Sequence, residues 1–264
     1  MSNPAEGYES YMVPVLFAPW AAHLVRSADA GPGERVLDLG CGTGIVARQV
    51  AKRVGPNGSV AGIDRSPDML AVARSVADRE GLAVEWHEGR AEALPFAQGS
   101  FDLVLSQFAL MFFDDRPRAL SEAHRVLVPG GRLCLNVWQG LDRHPFYQRL
   151  DALIERSLGV AALQSIFVLG KPDDLRRLLT QAGFQRVEIE PVSMTARFPN
   201  PEMFLAGEIE VDTAAIPSMQ KLTVAERQAV VAAISEEMKE PLAAVTRDNH
   251  VVLEFHANVA RAWR

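Results

Sequence analysis

Residues Val36–Gly44 read VLDLGCGTG. An apolar run ends in an acid, Asp38, and is followed by glycines at 40, 42 and 44. The run reads as a short buried strand, and the glycines as the turn after it. The next stretch, TGIVARQVAKRV, places Ile45, Val46, Gln49, Val50 and Arg53 at helical spacing. Strand, glycine turn and helix make a ligand loop, because ligands in a doubly wound sheet sit beyond the carboxyl ends of the strands. The dinucleotide fingerprint G-x-G-x-x-G would need glycine where Ile45 stands; the spacing here is G-x-G-x-G. A phosphate loop would need Gly-Lys-Ser/Thr, which is absent. Asp38 is an acceptor beside the turn, better suited to an ammonium than to a pyrophosphate. A second acid, Asp64 in GIDRS, ends the next strand about 20 residues on, where a carboxylate can accept both hydroxyls of a ribose. Two acids and a glycine turn fit a phosphate-free nucleoside carrying an amino acid.

Outward from this unit the pattern repeats. VAGIDRS is a second strand, and PDMLAVARSVADREG a helix with proline in its first turn and glycine just past its end. LAVEWHEG, SFDLVLSQFAL, RLCLNVW and QRVEIEPV read as further strands. RPRALSEAHRVLVPGG and KPDDLRRLLTQAGF read as helices, the first stopped by Pro129-Gly130-Gly131. The alternation predicts an α/β, doubly wound, mostly parallel sheet with helices on both faces. Residues 1–34 are expected as leader helices over the site, 35–199 as the core, 200–247 as a helical cap and 248–264 as a final strand. Within the cap, Thr223 is a plausible N-cap with Glu226 as its capping-box partner.

The 264 residues are 48% apolar and 23% charged, with net charge −6. The acidic balance argues against nucleic acid or an anionic membrane as partner. Cys41 and Cys134 make neither a disulfide framework nor a zinc spacing. No secretory signal is visible, and VPVLFAPWAAHLV is too short and too broken by proline to span a bilayer, so a cytoplasmic protein is expected. No His/Asp/Glu spacing suggests a metal.

Together, VLDLGCGTG, GIDRSPDML, GRAEALPFAQGSFDLVLSQFALMFF and RVLVPGGRL resemble the class I S-adenosylmethionine-dependent methyltransferases, in the type 11, ubiquinone/menaquinone-biosynthesis-like branch. The resemblance runs from about Arg35 to Leu135 and more loosely to Val192. It implies a seven-stranded Rossmann-like sheet whose last strand is antiparallel, and S-adenosyl-L-methionine as cofactor. It further implies that the loop of Gly40, Cys41, Gly42 and Gly44 holds the methionine part, with Asp38 near the amino group. Asp64 takes the ribose, Arg65 and Met69 lie by the adenine, Arg90-Ala91-Glu92 border the adenine edge, and Gln107 approaches the sulfonium. Related sequences often carry aspartate at the place of Arg90, which has no acceptor. The adenine amine then needs another partner, or Arg90 stacks on the purine.

The acceptor side is expected in the irregular regions. Its candidates are Tyr8, Tyr11 and Phe17 from the leader, Phe108 and Phe112 after strand four, and Trp138, His144 and Phe146 after strand five. Each competes with a plain packing role. His144, in DRHPF, is the candidate general base, against the reading of a turn histidine before proline. The place after strand four reads Ser106-Gln107-Phe108-Ala109, without the prolines of methyltransferases that modify DNA bases. Phe198, Met203, Phe204 and Met219 make the cap apolar, favouring a small, fairly hydrophobic acceptor methylated on O, N or C, with no nucleic acid and no membrane insertion. The chain is expected to be a monomer or homodimer. The alternatives are a cofactor-binding protein of this fold with a non-methyl-transfer activity such as cyclisation, a catalytically silent binder, and a nicotinamide dehydrogenase, whose third glycine is missing.

Overall fold

A computed structural model describes residues 4–214 and 216–264. Strand β1 (Arg35–Leu39) is central: four of its five residues are buried, as a doubly covered parallel strand requires. It pairs in parallel with β2 (Ser59–Asp64) on one side and β4 (Phe101–Gln107) on the other. β3 (Glu85–Glu88) extends the β2 edge, and β5 (Leu127–Trp138) continues beyond β4, both parallel. β8 (His250–Trp263) runs antiparallel to β5, and β6 (Arg186–Pro199) lies outside it. The order is β3-β2-β1-β4-β5-β8-β6, with a two-residue β7 (Thr246–Arg247) on β8. This is the expected mostly parallel sheet with an antiparallel last strand, plus β7 in a stretch expected to be helical. The order reverses between β1 and β4, which creates the crevice where such sheets bind ligands.

The leader comprises α1 (Pro4–Gly7), a π-helical segment (Tyr8–Phe17) and α2 (Ala18–Ser27). Pro14 inside the π segment has no N–H, and the Ala18 N–H reaches five residues back to the Val13 carbonyl. α3 (Ile45–Val54) follows the glycine loop. α4 (Pro67–Glu80) starts on Ser66, whose hydroxyl accepts from the Met69 N–H, and ends on Gly81 in the left-handed region. α5 (Arg116–Val126) stops earlier than the Pro129-Gly130-Gly131 stretch, which β5 absorbs with a register shift against β4. α6 (Pro145–Leu158), α7 (Pro172–Gln181), α8 (Pro201–Ala214), α9 (Pro217–Gln220), α10 (Val224–Glu237) and α11 (Lys239–Val245) complete the helices. Thr223 and Glu226 do form the capping box of α10.

The chain divides into two compact units. The first holds residues up to Trp138, Leu169–Val192 and Ala257–Arg264; the second holds Gln139–Val168 and Ser193–His256. Residues 139–168 and 193–199, expected in the core, thus group with the cap. The second unit has its own aromatic core, with Phe198 4.6 Å and Phe146 5.9 Å from the Phe204 ring. None of the helices among the described residues is long and apolar enough to cross a membrane.

Candidate active site

In the first unit, the carboxyl ends of β1, β2 and β4 and the leader enclose a cavity of about 380 Å³. The glycine loop is its floor. Gly40 (φ 71°) and Gly44 (φ 82°) adopt the left-handed backbone that side chains rarely tolerate. A Cβ at Gly40 would lie 2.6 Å from Ala109 Cβ, so glycine there lets β1 end against the turn after β4. A Cβ at Gly44 would lie 2.3 Å from the Trp86 ring, so this glycine serves packing at the start of α3 and stands outside the cavity lining. The Gly40 and Cys41 N–H groups both donate to the Ile63 carbonyl, binding the loop to β2.

Two carboxylates frame the loop. Asp38 is 1% exposed, and its Oδ2 accepts from the Ala47 N–H in the first turn of α3 (2.9 Å). Burial pushes its pKa up from 3.8 to about 7, with Asp64 adding to the rise. Asp64 accepts from the Gly42 N–H at 2.8 Å and from the Ser66 N–H at 2.9 Å. A carboxylate has about four acceptor sites, so Asp64 can clamp the loop and still take hydroxyls from the cavity.

Two residues of the lining carry a buried polar atom with no hydrogen-bond partner: Thr43 Oγ1, on a residue 1% exposed, and Gln107 Oε1. Gln107 Nε2 donates to the Phe17 carbonyl at 3.1 Å, which fixes the amide with its oxygen as the open acceptor. Beyond Gln107 the wall is apolar, made of Phe108, Ala109, Phe112 and Phe113, and Tyr8 of the leader reaches the same space. Burial raises the Tyr8 phenol and the Cys41 thiol well above their usual ranges, so both hold their protons.

The cavity therefore gathers Tyr8, Asp38, Gly40, Cys41, Gly42, Asp64, Arg65, Met69, Arg90, Ala91, Glu92, Gln107 and Phe112. Arg90, within the lining, is engaged by neighbouring carboxylates. Its Nη2 donates to Asp114 at 2.5 Å and its Nε lies 3.5 Å from Glu92, while Arg65 approaches Asp114 at 3.9 Å. The Arg90 hydrogen bond holds the Asp114 carboxyl below its ordinary range. Thr43 and Phe113 escape motif reading: the loop threonine looks like a spacer between glycines, and Phe113 follows a turn that the strand-like pattern conceals.

Other candidates lie elsewhere. Tyr11 and Phe17 are on the leader but outside the cavity lining; the Phe17 ring packs 5.1 Å from Tyr8. Trp138 is buried behind the wall, stacked on Phe108 at 3.6 Å. Phe146 and His144 belong to the second unit and border a different cavity, of about 610 Å³. His144 corrects the expectation of a general base. Its Nε2 accepts from the His256 N–H (3.1 Å), and its Nδ1 lies 3.2 Å from the Gly140 carbonyl, to which only a protonated Nδ1 can donate. Burial lowers its pKa to about 4, so it is a neutral, fully bonded structural histidine.

The residues present suit S-adenosylmethionine. A buried acid awaits a cation, two orphaned polar groups and a second acid await a sugar and an amino acid, and the loop has no phosphate-binding chemistry. Among the described residues, no three potential metal ligands come together. Residues 36–131 match the family model described as a methyltransferase domain. The chain is 36% identical over 178 residues to a demethylmenaquinone methyltransferase of Thermus thermophilus, covering 62% of this chain and 80% of the relative. It is 35% identical over 190 residues to a 2-phytyl-1,4-naphtoquinone methyltransferase of Thermosynechococcus vestitus, covering 66% and 82%. Among solved structures, it shares its fold with a Haemonchus contortus phosphoethanolamine N-methyltransferase in complex with S-adenosylhomocysteine. That match has TM-score 0.56 and 23% identity, and covers 93% of this chain and 52% of the other. The chain belongs to the class I S-adenosylmethionine-dependent methyltransferases, in the branch of the ubiquinone and menaquinone methyltransferases.

Proposed function

We propose that this methyltransferase acts on a small, hydrophobic, ring-bearing acceptor. The observation that carries this reading is the apolar wall of Phe108, Ala109, Phe112 and Phe113 just beyond the open Gln107 acceptor. Aromatic walls select flat apolar ligands, with a few polar groups fixing orientation. The two quinone methyltransferases similar to this chain have acceptors of that kind by name.

When bound, the cofactor supplies a methyl group already activated on a sulfonium. The residues of the chain then need to bind, align and keep water out. Asp38 and Thr43 would hold the amino-acid end, Asp64 the ribose, and Met69, Ile63 and the Arg90–Glu92 segment the adenine. Gln107, locked by Phe17, presents an acceptor to a donor group of the incoming molecule. With Tyr8 and Cys41 protonated and His144 fully bonded, the acceptor atom is one that ionises by itself or reacts through a lone pair. A phenolate, a quinol anion or a stabilised enolate meets that condition.

Incubation with S-adenosylmethionine carrying a labelled methyl group tests this, using reduced naphthoquinone, simple phenols and polar amines such as glycine as acceptors. Label is expected in the quinol or phenol. Label confined to the polar amines would overturn the reading.

A further inference from the structure

Arg48 of α3 carries a guanidinium whose side chain is only 3% exposed, and it joins three parts of the first unit. Nη1 donates to the Thr43 carbonyl in the glycine loop at 2.5 Å. Nη2 donates to Glu9 Oε1 in the leader at 2.7 Å. Nε lies 3.2 Å from Glu80 Oε1 at the end of α4, and Lys52 shares that carboxylate. Glu9 directly follows Tyr8, the leader residue that reaches the cavity. Thr43, held through its carbonyl, also lines the cavity, and its buried hydroxyl has no hydrogen-bond partner.

Stability alone is a poor reason for this arrangement. Burying a charge pair costs desolvation that an apolar pair of the same shape avoids. The other oxygen of Glu9 is buried and has no hydrogen-bond partner, so the pair is not even fully satisfied. The leader also has apolar anchorage of its own, with Ala5 buried against Val72, Val76 and Met69. What the ion pair adds is a connection: from the leader through one rigid guanidinium to the backbone of the loop.

We propose that Arg48 is a positioning residue that couples the seating of the leader to the shape of the cofactor loop. With Glu9 on Nη2, the fork holds Nη1 on the Thr43 carbonyl, and this sets the direction of the Thr43 hydroxyl. A leader that lifts away removes Glu9, loosens Thr43 and weakens the loop's hold. Such coupling is reciprocal, so ligand in the cavity stabilises the seated leader by the same factor. This rests on the assignment of the cavity to the cofactor.

The test uses S-adenosylhomocysteine as ligand, with calorimetry for affinity and amide hydrogen exchange for the leader. In the wild type, ligand is expected to slow exchange across residues 4–17. Glu9→Gln keeps the shape of the side chain and removes its charge. It is expected to raise the dissociation constant about tenfold and to abolish most of the ligand-induced protection, at about 1.4 kcal/mol per tenfold. The KM for S-adenosylmethionine should rise in parallel, with a smaller change in kcat. Glu80→Gln removes a carboxylate from the same arginine without touching the leader and should leave leader protection in place. Unchanged affinity and protection in Glu9→Gln would overturn the proposal, as would a lowered melting temperature with unchanged affinity. Equal loss in Glu80→Gln would also overturn it, by reducing Arg48 to a buried cation that needs neutralising. Failure of the wild type to bind S-adenosylhomocysteine would instead remove the cofactor assignment itself.

Discussion

Asp38 lies near the end of β1, in the cavity lining, with one oxygen on the Ala47 N–H. Burial raises its pKa from 3.8 to about 7 in the cofactor-free protein. The sign follows from linkage: a carboxyl with a raised folded pKa favours the fold when protonated. Its contribution is complete below about 3.8 and is lost as pH rises through about 7. A bound ammonium reverses the preference, because it favours the carboxylate. Affinity for S-adenosylhomocysteine is therefore expected to rise between pH 5.5 and 7.5 and then level off, with proton release on binding below pH 7. Calorimetry in buffers of different ionisation enthalpy measures both. Asp38→Asn should flatten this pH dependence, weaken binding about 10–100-fold, and leave the cofactor-free protein more stable at pH 8, since no charge is then buried. A pH profile that Asp38→Asn leaves unaltered would assign the titration to another group.

Among the elements, the turns after β1 and β4 do most to shape the site. Gly44 caps α3 in the left-handed region with the Trp86 ring against its α-carbon. Gly44→Ala meets both backbone strain and a steric overlap, each costing about 1–3 kcal/mol. Urea unfolding followed by tryptophan fluorescence is expected to show a loss of about 2–5 kcal/mol by those same terms. A loss below about 1 kcal/mol would mean that Trp86 yields easily. The turn after β4 is the less expected of the two. Phe108 has φ 48°, which is unusual for a bulky residue, and the surroundings over-determine it. Its N–H meets both oxygens of Asn136 at 3.1 Å, and its ring lies between Trp138 and Trp20. The strand-like run SFDLVLSQFAL conceals this, because alternation and β-propensity are blind to a single left-handed residue. The strand stops at Gln107, and the following aromatics turn into a cavity wall instead of continuing the sheet.

At the scale of the molecule, the four tryptophans, Trp20, Trp86, Trp138 and Trp263, all belong to the first unit. Tryptophan fluorescence thus reports the unit that holds the cavity. S-adenosylhomocysteine at a hundred times its dissociation constant should stabilise that unit by about 2.7 kcal/mol, if it binds only the folded form. A denaturation midpoint by fluorescence that does not move with ligand would exclude binding in this cavity. The second unit unites residues 139–168 with 193–256, two stretches separated in sequence by helix α7 and part of β6. Its aromatic core, Phe146, Tyr147, Phe198, Phe204 and Phe255, buries Phe146, one of the candidates for acceptor contact, as a packing residue.

Local chemistry determined most of the sheet, the glycine loop and a phosphate-free nucleoside as its ligand, and the resemblance of four motifs to a known family added the cofactor. Apolar runs of strand length, helix caps and glycines with fixed spacing act over a few residues, and Asp38 and Asp64 follow their strands by covalent connection. Tertiary structure decided what depends on distant partners. Arg90 turns to Asp114, 24 residues on, because an exposed guanidinium takes the nearest carboxylate. His144 is saturated by the backbone of His256, 112 residues away, a contact that strand β8 creates and no pattern near DRHPF announces. Arg48 reads as one polar position on an amphipathic helix, yet packing buries it between Glu9 and the Thr43 carbonyl. A guanidinium removed from water must find carboxylates and carbonyls wherever the fold brings them, and only the assembled chain shows which ones those are.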